Sequence, residues 1–273
     1  MHEPLPPGVD PTTPSTGRIY QYFLNGRHYL PVDEQAARNL LNKVPEFHYV
    51  ANANRAFLQR AAGVIARAGV RQFIDIGAGI PTQWNTHEVV QVVEPDARVV
   101  YVDNDPMVLA HSQELLRRSG ETNVIYVEGD ISNPASIIEN PEVRANIDFT
   151  QPVGYMHVAV WHFVPDEADP WARVSQYMNA VPSGSYLALS HITAEGQDPG
   201  KVQRFKDVYK DSTAPLNFRT LDEIERLFEG LEFLAAYEGA GPGLSFIDKW
   251  GSKNPSEVDP AHTWGACGVG RKY

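Results

Sequence analysis

The chain has 273 residues, 42% of them hydrophobic and 10% aromatic, with 34 acidic against 23 basic side chains and a formal net charge of −11. That apolar share builds a sizeable core and excludes wholesale disorder, while the acidic balance speaks against a protein whose main task is gripping nucleic-acid phosphates. The lone cysteine, Cys267, excludes an intrachain disulfide and any cysteine cluster for zinc or iron–sulfur, a usage that fits a reducing interior.

In chain order, residues 1–17 carry Pro4, Pro6, Pro7, Pro11 and Pro14 and no basic stretch followed by an apolar run. They read as a flexible arm rather than a secretory signal. No run elsewhere approaches the roughly 20 apolar residues of a membrane span, so a cytoplasmic protein with no membrane partner is expected. Residues 18–30 (RIYQYFLNGRHYL) are aromatic-rich and broken by the turn signal Asn25-Gly26. Helical spacing runs from about Asp33, pauses near Pro45 and resumes over 47–68, where Phe57, Leu58, Ala61, Ala62 and Ile65 recur before Gly69. From Gln72 the rhythm changes: short apolar runs at 72–76, 98–102, 124–127, 153–161 and 185–189 alternate with helical segments at 87–93, 106–118, 136–145 and 170–181. Strands without strict alternation, separated by helices, indicate a parallel sheet covered on both faces. Beyond them, 200–211 and 221–229 read as helices, 231–236 and 264–271 as strands, and 239–260 as a long loop. The last two strands form either a hairpin or a separated antiparallel addition at one edge. The expected organisation is one domain over 18–273, with a helical cap (18–68) on an α/β core (69–273).

The informative constellation begins at Asp75-Ile76-Gly77-Ala78-Gly79, at the carboxyl end of the first strand. Ligands of doubly wound sheets bind beyond those ends, and glycines there let the backbone approach them. Asp103 ends the second strand, where an acid is suited to a ribose diol, and Asp130 follows the third, where a carboxylate can read an adenine edge. A dinucleotide fingerprint needs a third glycine where this chain has Thr82, which counts against NAD. An acid just before the loop suits a cationic ligand instead, and S-adenosylmethionine, with its sulfonium and ammonium against one carboxylate, is the favoured cofactor. Each feature has a plainer reading. The glycines serve a tight turn, Asp105-Pro106 opens a helix, and Asp130 caps a turn; it is their order at successive strand ends that favours a nucleoside site.

His162 lies just past the fourth strand and His191 just past the fifth, so both are candidate general bases facing the cofactor edge; the plainer reading for each is a hydrogen-bonded residue orienting a loop. His157, mid-strand, is expected in the core; Tyr20, Tyr22, Phe23 and Tyr29 either stack on adenine or a flat substrate or, the plainer reading, form core beneath the cap. His87-Glu88-Val89-Val90-Gln91 lacks the second histidine of a zinc helix, 196–201 (GQDPGK) is one residue short of a phosphate loop, and no G-x-S-x-G elbow occurs, so no metal site is expected.

Arg18-Ile19-Tyr20, Asn54–Phe57 (NRAF), 72–82 (QFIDIGAGIPT), Asn85, His87, 101–106 (YVDNDP), 162–166 (HFVPD), Ser185–Leu187 with Ser190-His191, and 268–271 (GVGR) together carry a resemblance over about 14–271. The chain resembles the actinobacterial S-adenosylmethionine-dependent methyltransferases long carried as a domain of unknown function. The resemblance implies a class I, Rossmann-like α/β fold: a seven-stranded, mostly parallel sheet with the last strand antiparallel. It implies that Gly77, Ala78 and Gly79 line the methionine and ribose site, that Asp103 holds the ribose, and that Asn104, Asp130 and Ile131 border adenine. It also implies that the region around Tyr20–Gly26 closes over the cofactor. Family members often show Gly-Gly-Lys-Asp-Asn where this chain has Asn25-Gly26-Arg27-His28-Tyr29, and an aspartate where it has Gln21, so the lid departs from the pattern. The implied activity is methyl transfer to a small-molecule acceptor. The alternatives are a cofactor-binding regulatory protein without turnover, whose acceptor space would be filled by its own side chains, and an NAD-dependent oxidoreductase.

Overall fold

The computed structural model describes residues 5–82, 84–254 and 264–273. Three helices open it: α1 (Thr16–Phe23), α2 (Pro31–Lys43) and α3 (Phe47–Arg67). Ser15 caps α1 by accepting from Arg18 N–H, and Pro31 opens α2 with Asp33 and Glu34 in its first turn. One face of α3 is buried through Val50, Ala51, Asn54, Phe57, Leu58, Ala61, Ala62 and Ile65, the three-and-four spacing of an amphipathic helix.

The α/β portion alternates β1 (Gln72–Ile76), α4 (Thr86–Val93), β2 (Arg98–Asp103), α5 (Pro106–Ser119), β3 (Val124–Glu128), α6 (Pro134–Ile138), α7 (Pro141–Asn146), β4 (Gly154–Val158), α8 (Pro170–Asn179) and β5 (Tyr186–Ile192). It continues through α9 (Pro199–Tyr209), α10 (Leu221–Glu225), β6 (Glu232–Phe233), β7 (Ser245–Phe246) and β8 (Gly265–Arg271). Helices α5 to α9 each begin with proline preceded by a capping Asp or Asn (Asp105, Asn133, Asn140, Asp169, Asp198). Proline lacks the amide that a first helical residue leaves unpaired, and the Asx oxygen satisfies the next ones. The same rule corrects the single helix expected over 136–145: Pro141 cannot continue a helix, so Asn140 starts a second one.

Strand order is β3-β2-β1-β4-β5-β8-β6, with β7 also on β8. The first five strands are parallel; β8 is antiparallel to β5, and β6 and β7 are antiparallel to β8. Among the described residues the sheet therefore has eight strands rather than seven. Seven-residue β8 presents an outer edge long enough for two short partners: β6 pairs at Gly270–Arg271 and β7 at Ala266–Cys267. β7 falls inside the expected loop over 239–260, of which 255–260 lie outside the described residues. The fourth strand stops at Val158, short of the expected Trp161, because Ala159 adopts φ +58° and turns the chain into a 3₁₀ turn at Trp161–Phe163.

Alternate strand residues divide into two cores. Phe73, Val99, Tyr101, Met156 and Ala188 pack with the N-terminal helices, whereas Ile74, Val100, Tyr155 and Leu187 pack beneath α8 and α10. The strand order reverses between β1 and β4, and that reversal opens the crevice in which the candidate site lies. Among the described residues no helix is long and apolar enough to cross a membrane.

Candidate active site at the strand ends

A cavity of about 660 Å³ runs beneath α1 and α3 along the carboxyl ends of β1 to β5. All ten sequence-derived candidates line it: Asp75, Gly77, Ala78, Gly79, Asp103, Asn104, Asp130, Ile131, His162 and His191. After β1, Gly77 and Gly79 adopt φ +72° and +66°, a conformation that glycine reaches without a Cβ penalty. The amides of Gly77 and Ala78 donate to Val102 O, and the Gly79 amide donates to Asp103 Oδ2 at 2.8 Å, so β2 holds the turn. A Cβ on Gly77 would lie 2.6 Å from Val160 Cγ2, whereas one on Gly79 would meet nothing within 4 Å. Gly77 is thus required for packing, while Gly79 bares its backbone to the cavity. Gly77→Ala is expected to cost about 1–2 kcal/mol through left-handed strain and overpacking, read as a lower denaturant midpoint; an unchanged midpoint would refute that role.

Asp103 is 9% exposed; besides Gly79, it accepts from Asp105 N–H through Oδ1. Asp75 is buried and accepts from Thr86 Oγ1 at 2.6 Å. Burial raises the carboxyl pKa of both to about 6, against the pull of those hydrogen bonds. Two costly carboxylates at adjacent strand ends suit a positively charged ligand. Asp130 is exposed, and its Oδ1 closes a turn by accepting from Ser132 N–H and Oγ–H.

The first part of the chain closes the upper wall. Buried Arg18 donates to Asp33 Oδ2 at 2.7 Å and to Asp105 Oδ2 at 3.2 Å, and Ser15 Oγ donates to Asp105 Oδ2. Asp33 also accepts from the amides of Ser15 and Leu30. This latch ties α1 to the end of β2, and Gly8, Val9, Asp10 and Thr13 join the lining. Tyr20, Gln21 and Leu24 line the cavity as well; Asn25–Tyr29 do not, so the segment that departs from the family pattern lies off the wall.

A second chain of hydrogen bonds links α1, α3 and the ends of β4 and β5. Tyr20 Oη donates to Ala51 O and accepts from Asn54 Nδ2; Asn54 Oδ1 accepts from Ser190 Oγ, which accepts from the amide of left-handed Ala159. Ser190 thereby holds the turn that aims Val160 and His162.

The two histidines differ. His191 Nδ1 donates to Ile192 O at 2.7 Å, and its Nε2 accepts from Arg219 Nη1 at 2.7 Å, so both ring nitrogens are engaged. His162 Nδ1 has no partner among the described residues, an arrangement that costs about 1–3 kcal/mol in a buried site. Burial drives both imidazoles down in pKa, His162 to about 3 and His191 well below its usual value, with Arg219 adding repulsion. Both are therefore neutral near pH 7, and only His162 keeps ring capacity for a ligand. The assignment of His191 as a base fails on geometry, since its lone pair is taken by a guanidinium.

Arg219 escaped the sequence reading. It is 3% exposed and donates to Trp161 O, Val164 O, His191 Nε2 and Asp166 Oδ1, pinning the turn that carries His162. Its neighbours carry no periodic or motif signal. Phe205 and Tyr209 of α9 were also missed as lining residues; their spacing of four is a helix face, but nothing local says which cavity it meets. The two lookalikes have structural roles: Asp198 caps α9, and the amide of His87 donates to Tyr101 Oη.

A family model described as S-adenosyl methyltransferase matches residues 2–273. Among solved structures, the chain is 40% identical to a DUF574 family protein from Streptomyces avermitilis, covering 96% of this chain and 98% of that one with a TM-score of 0.88. It is 34% identical to a proposed methyltransferase from Thermobifida fusca, covering 97% of each chain with a TM-score of 0.88. The mitomycin 7-O-methyltransferase MmcR is similar in fold alone, at 16% identity and a TM-score of 0.50 over 97% of this chain and 74% of that one. No curated protein matches. With relatives above the 30% level along nearly its whole length, the chain belongs to the S-adenosyl methyltransferase family.

Proposed function

We propose that this protein transfers a methyl group from S-adenosylmethionine to a small acceptor enclosed in the cavity. One observation supports this reading above the others: the two-glycine turn, the open face of Gly79 and the buried carboxyls of Asp75 and Asp103 converge where the strand order reverses. Their acidity fits a net-cationic nucleoside and would sit poorly beside a diphosphate. Asp103 would hold the ribose hydroxyls, Gly77–Gly79 and Asp75 the amino-acid part, and Asn104, Asp130 and Ile131 the rim of the adenine.

When bound, S-adenosylmethionine supplies a methyl group already activated by its sulfonium. The work left to the chain is alignment, exclusion of water and disposal of a proton. The Arg18–Asp33–Asp105 latch holds α1 over the crevice, and Arg219 and Ser190 orient the turn bearing His162, whose neutral imidazole is the group left to accept a proton. The regulatory alternative expected an acceptor space filled by side chains. The cavity instead continues past the glycine turn to Phe47, Phe205 and Trp264.

Isothermal titration with S-adenosylmethionine and, separately, NADH tests the reading. Saturable binding of the first with no heat from the second is expected; tighter binding of NADH by folded protein, or no binding of S-adenosylmethionine, would overturn it.

A further inference from the structure

We propose that the methyl acceptor is an uncharged, flat aromatic compound bearing a hydroxyl group, and that His162 receives the proton of that hydroxyl. This rests on the cofactor reading above. The cavity wall divides by chemistry. Among the described residues, every lining residue that carries a full charge lies on the arm, on α1, at Arg55 or at the ends of β1, β2 and β3. The Arg55 guanidinium is itself turned to Asn85 Oδ1 in the turn before α4, at 2.8 Å.

The uncharged remainder of the lining is rich in rings, set among aliphatic Val50, Leu58, Leu216 and Ile247. Phe205 and Tyr209 project from one face of α9. Phe47 meets Phe205 with ring centroids 4.7 Å apart, Phe205 meets Tyr209 at 5.7 Å, Tyr209 meets Phe163 at 6.0 Å, and Phe163 meets His162 at 4.4 Å. Trp264 closes on Phe205 at 5.5 Å. An ionised acceptor entering this half would shed its water with no counter-charge to meet it. A planar ring, in contrast, gains the offset and edge-to-face contacts that aromatic walls offer.

The row of rings ends at an imidazole that is 8% exposed; its Nδ1 is enclosed and unpartnered, and its Nε2 makes no hydrogen bond among the described residues. Of the neighbouring polar groups, Asn54 Oδ1 accepts from Ser190 and both nitrogens of His191 are engaged, while the Tyr209 hydroxyl makes no hydrogen bond among the described residues. A hydroxyl supplies the donor that this imidazole lacks, and it also needs a base, which an amine arriving neutral does not. In the transfer, the acceptor oxygen provides the electron pair of the new O–CH₃ bond while the S–CH₃ bond breaks and sulfur keeps that pair. The hydroxyl proton passes to the His162 imidazole and then to water. Positive charge moves from sulfur to imidazole, so the net charge of the enclosed site does not change.

The test uses the full chain saturated with S-adenosylhomocysteine and titrated with 2-naphthol, 2-naphthoate and trans-decahydro-2-naphthol. 2-Naphthol is expected to bind about tenfold or more tighter than either of the others. With S-adenosylmethionine it is expected to yield 2-methoxynaphthalene, detected by mass spectrometry. His162→Phe should lower 2-naphthol affinity about tenfold while leaving S-adenosylhomocysteine affinity unchanged. His162→Gln, which keeps a hydrogen-bonding group and covers the case that the phenylalanine variant does not fold, should bind 2-naphthol nearly as well as the parent yet lose about 100-fold in methyl transfer. Equal or tighter binding of the carboxylate or the saturated alcohol, no binding of 2-naphthol to the loaded protein, or undiminished turnover by both variants would overturn the acceptor assignment and leave the cofactor reading standing. Failure of S-adenosylhomocysteine itself to bind would overturn both.

Discussion

Asp103→Ala is expected to weaken S-adenosylmethionine binding by about 100-fold, the equivalent of roughly 2–3 kcal/mol. The carboxyl sits at the end of β2, and each of its oxygens already accepts one backbone amide, from Gly79 and from Asp105. Those bonds hold its plane against the turn, and each oxygen keeps a second lone pair for a ribose hydroxyl. Alanine removes both ligand bonds and frees the Gly79 amide. Asp103→Asn keeps one acceptor oxygen and should lose about tenfold. Because burial pushes the carboxyl pKa up to about 6, ionised Asp103 costs the empty protein stability at neutral pH. Truncation should therefore leave the melting temperature of the apo protein little changed or higher, separating lost binding from lost folding. Calorimetric titration checks the affinity, and a change of less than threefold would remove Asp103 from the cofactor site.

Acidification from pH 6.5 to 5 is expected to lower the stability of the apo protein by roughly 3 kcal/mol. Three buried histidines drive this. Burial holds His157 and His162 at about 3, and His191 lies well below its usual value. Their folded pKa values are depressed, so the unfolded chain binds more protons below about pH 6.5 and stability falls as pH falls, by about 1.4 kcal/mol per group per pH unit. Asp75 and Asp103 act the other way: with carboxyls raised to about 6, the folded state takes up protons first and gains stability as pH falls from 6 toward 4. Three groups against two leave a net loss. Thermal unfolding at stepped pH measures it, and a melting temperature that is flat or rising toward pH 5 would show that the histidines are not buried as neutral rings.

Several parts of this arrangement were legible along the chain because their causes are local. The apolar runs at 72–76, 98–102 and 124–127 are strands because a two-faced parallel sheet needs consecutive apolar residues. Gly77 and Gly79 mark a left-handed turn because other residues pay to enter it. The boundary at Pro141 was readable by the same logic that placed Pro106 at a helix start. Arg219 was not readable, because its meaning lies in four acceptors spread from Trp161 to His191 that only the folded turn gathers. His162 and His191 could not be told apart in sequence, each being a histidine just beyond a strand. Their difference is a single guanidinium on one ring nitrogen.

The position of acid along the sequence by itself pointed to a net-cationic nucleoside as the ligand we propose. Within a net charge of −11, Asp75, Asp103 and Asp130 fall at successive strand ends, a placement set by strand length and turn chemistry that acts over a few residues. Only the tertiary structure decided which of them are buried carboxyls and which is exposed and closes a turn, which histidine has its ring nitrogens engaged, and which rings line the cavity. Burial and pairing depend on residues far apart in the chain, such as Phe47 meeting Phe205 and His191 meeting Arg219. The strand ends are written locally; the environment that gives each side chain its chemistry is assembled by contacts that no local pattern encodes.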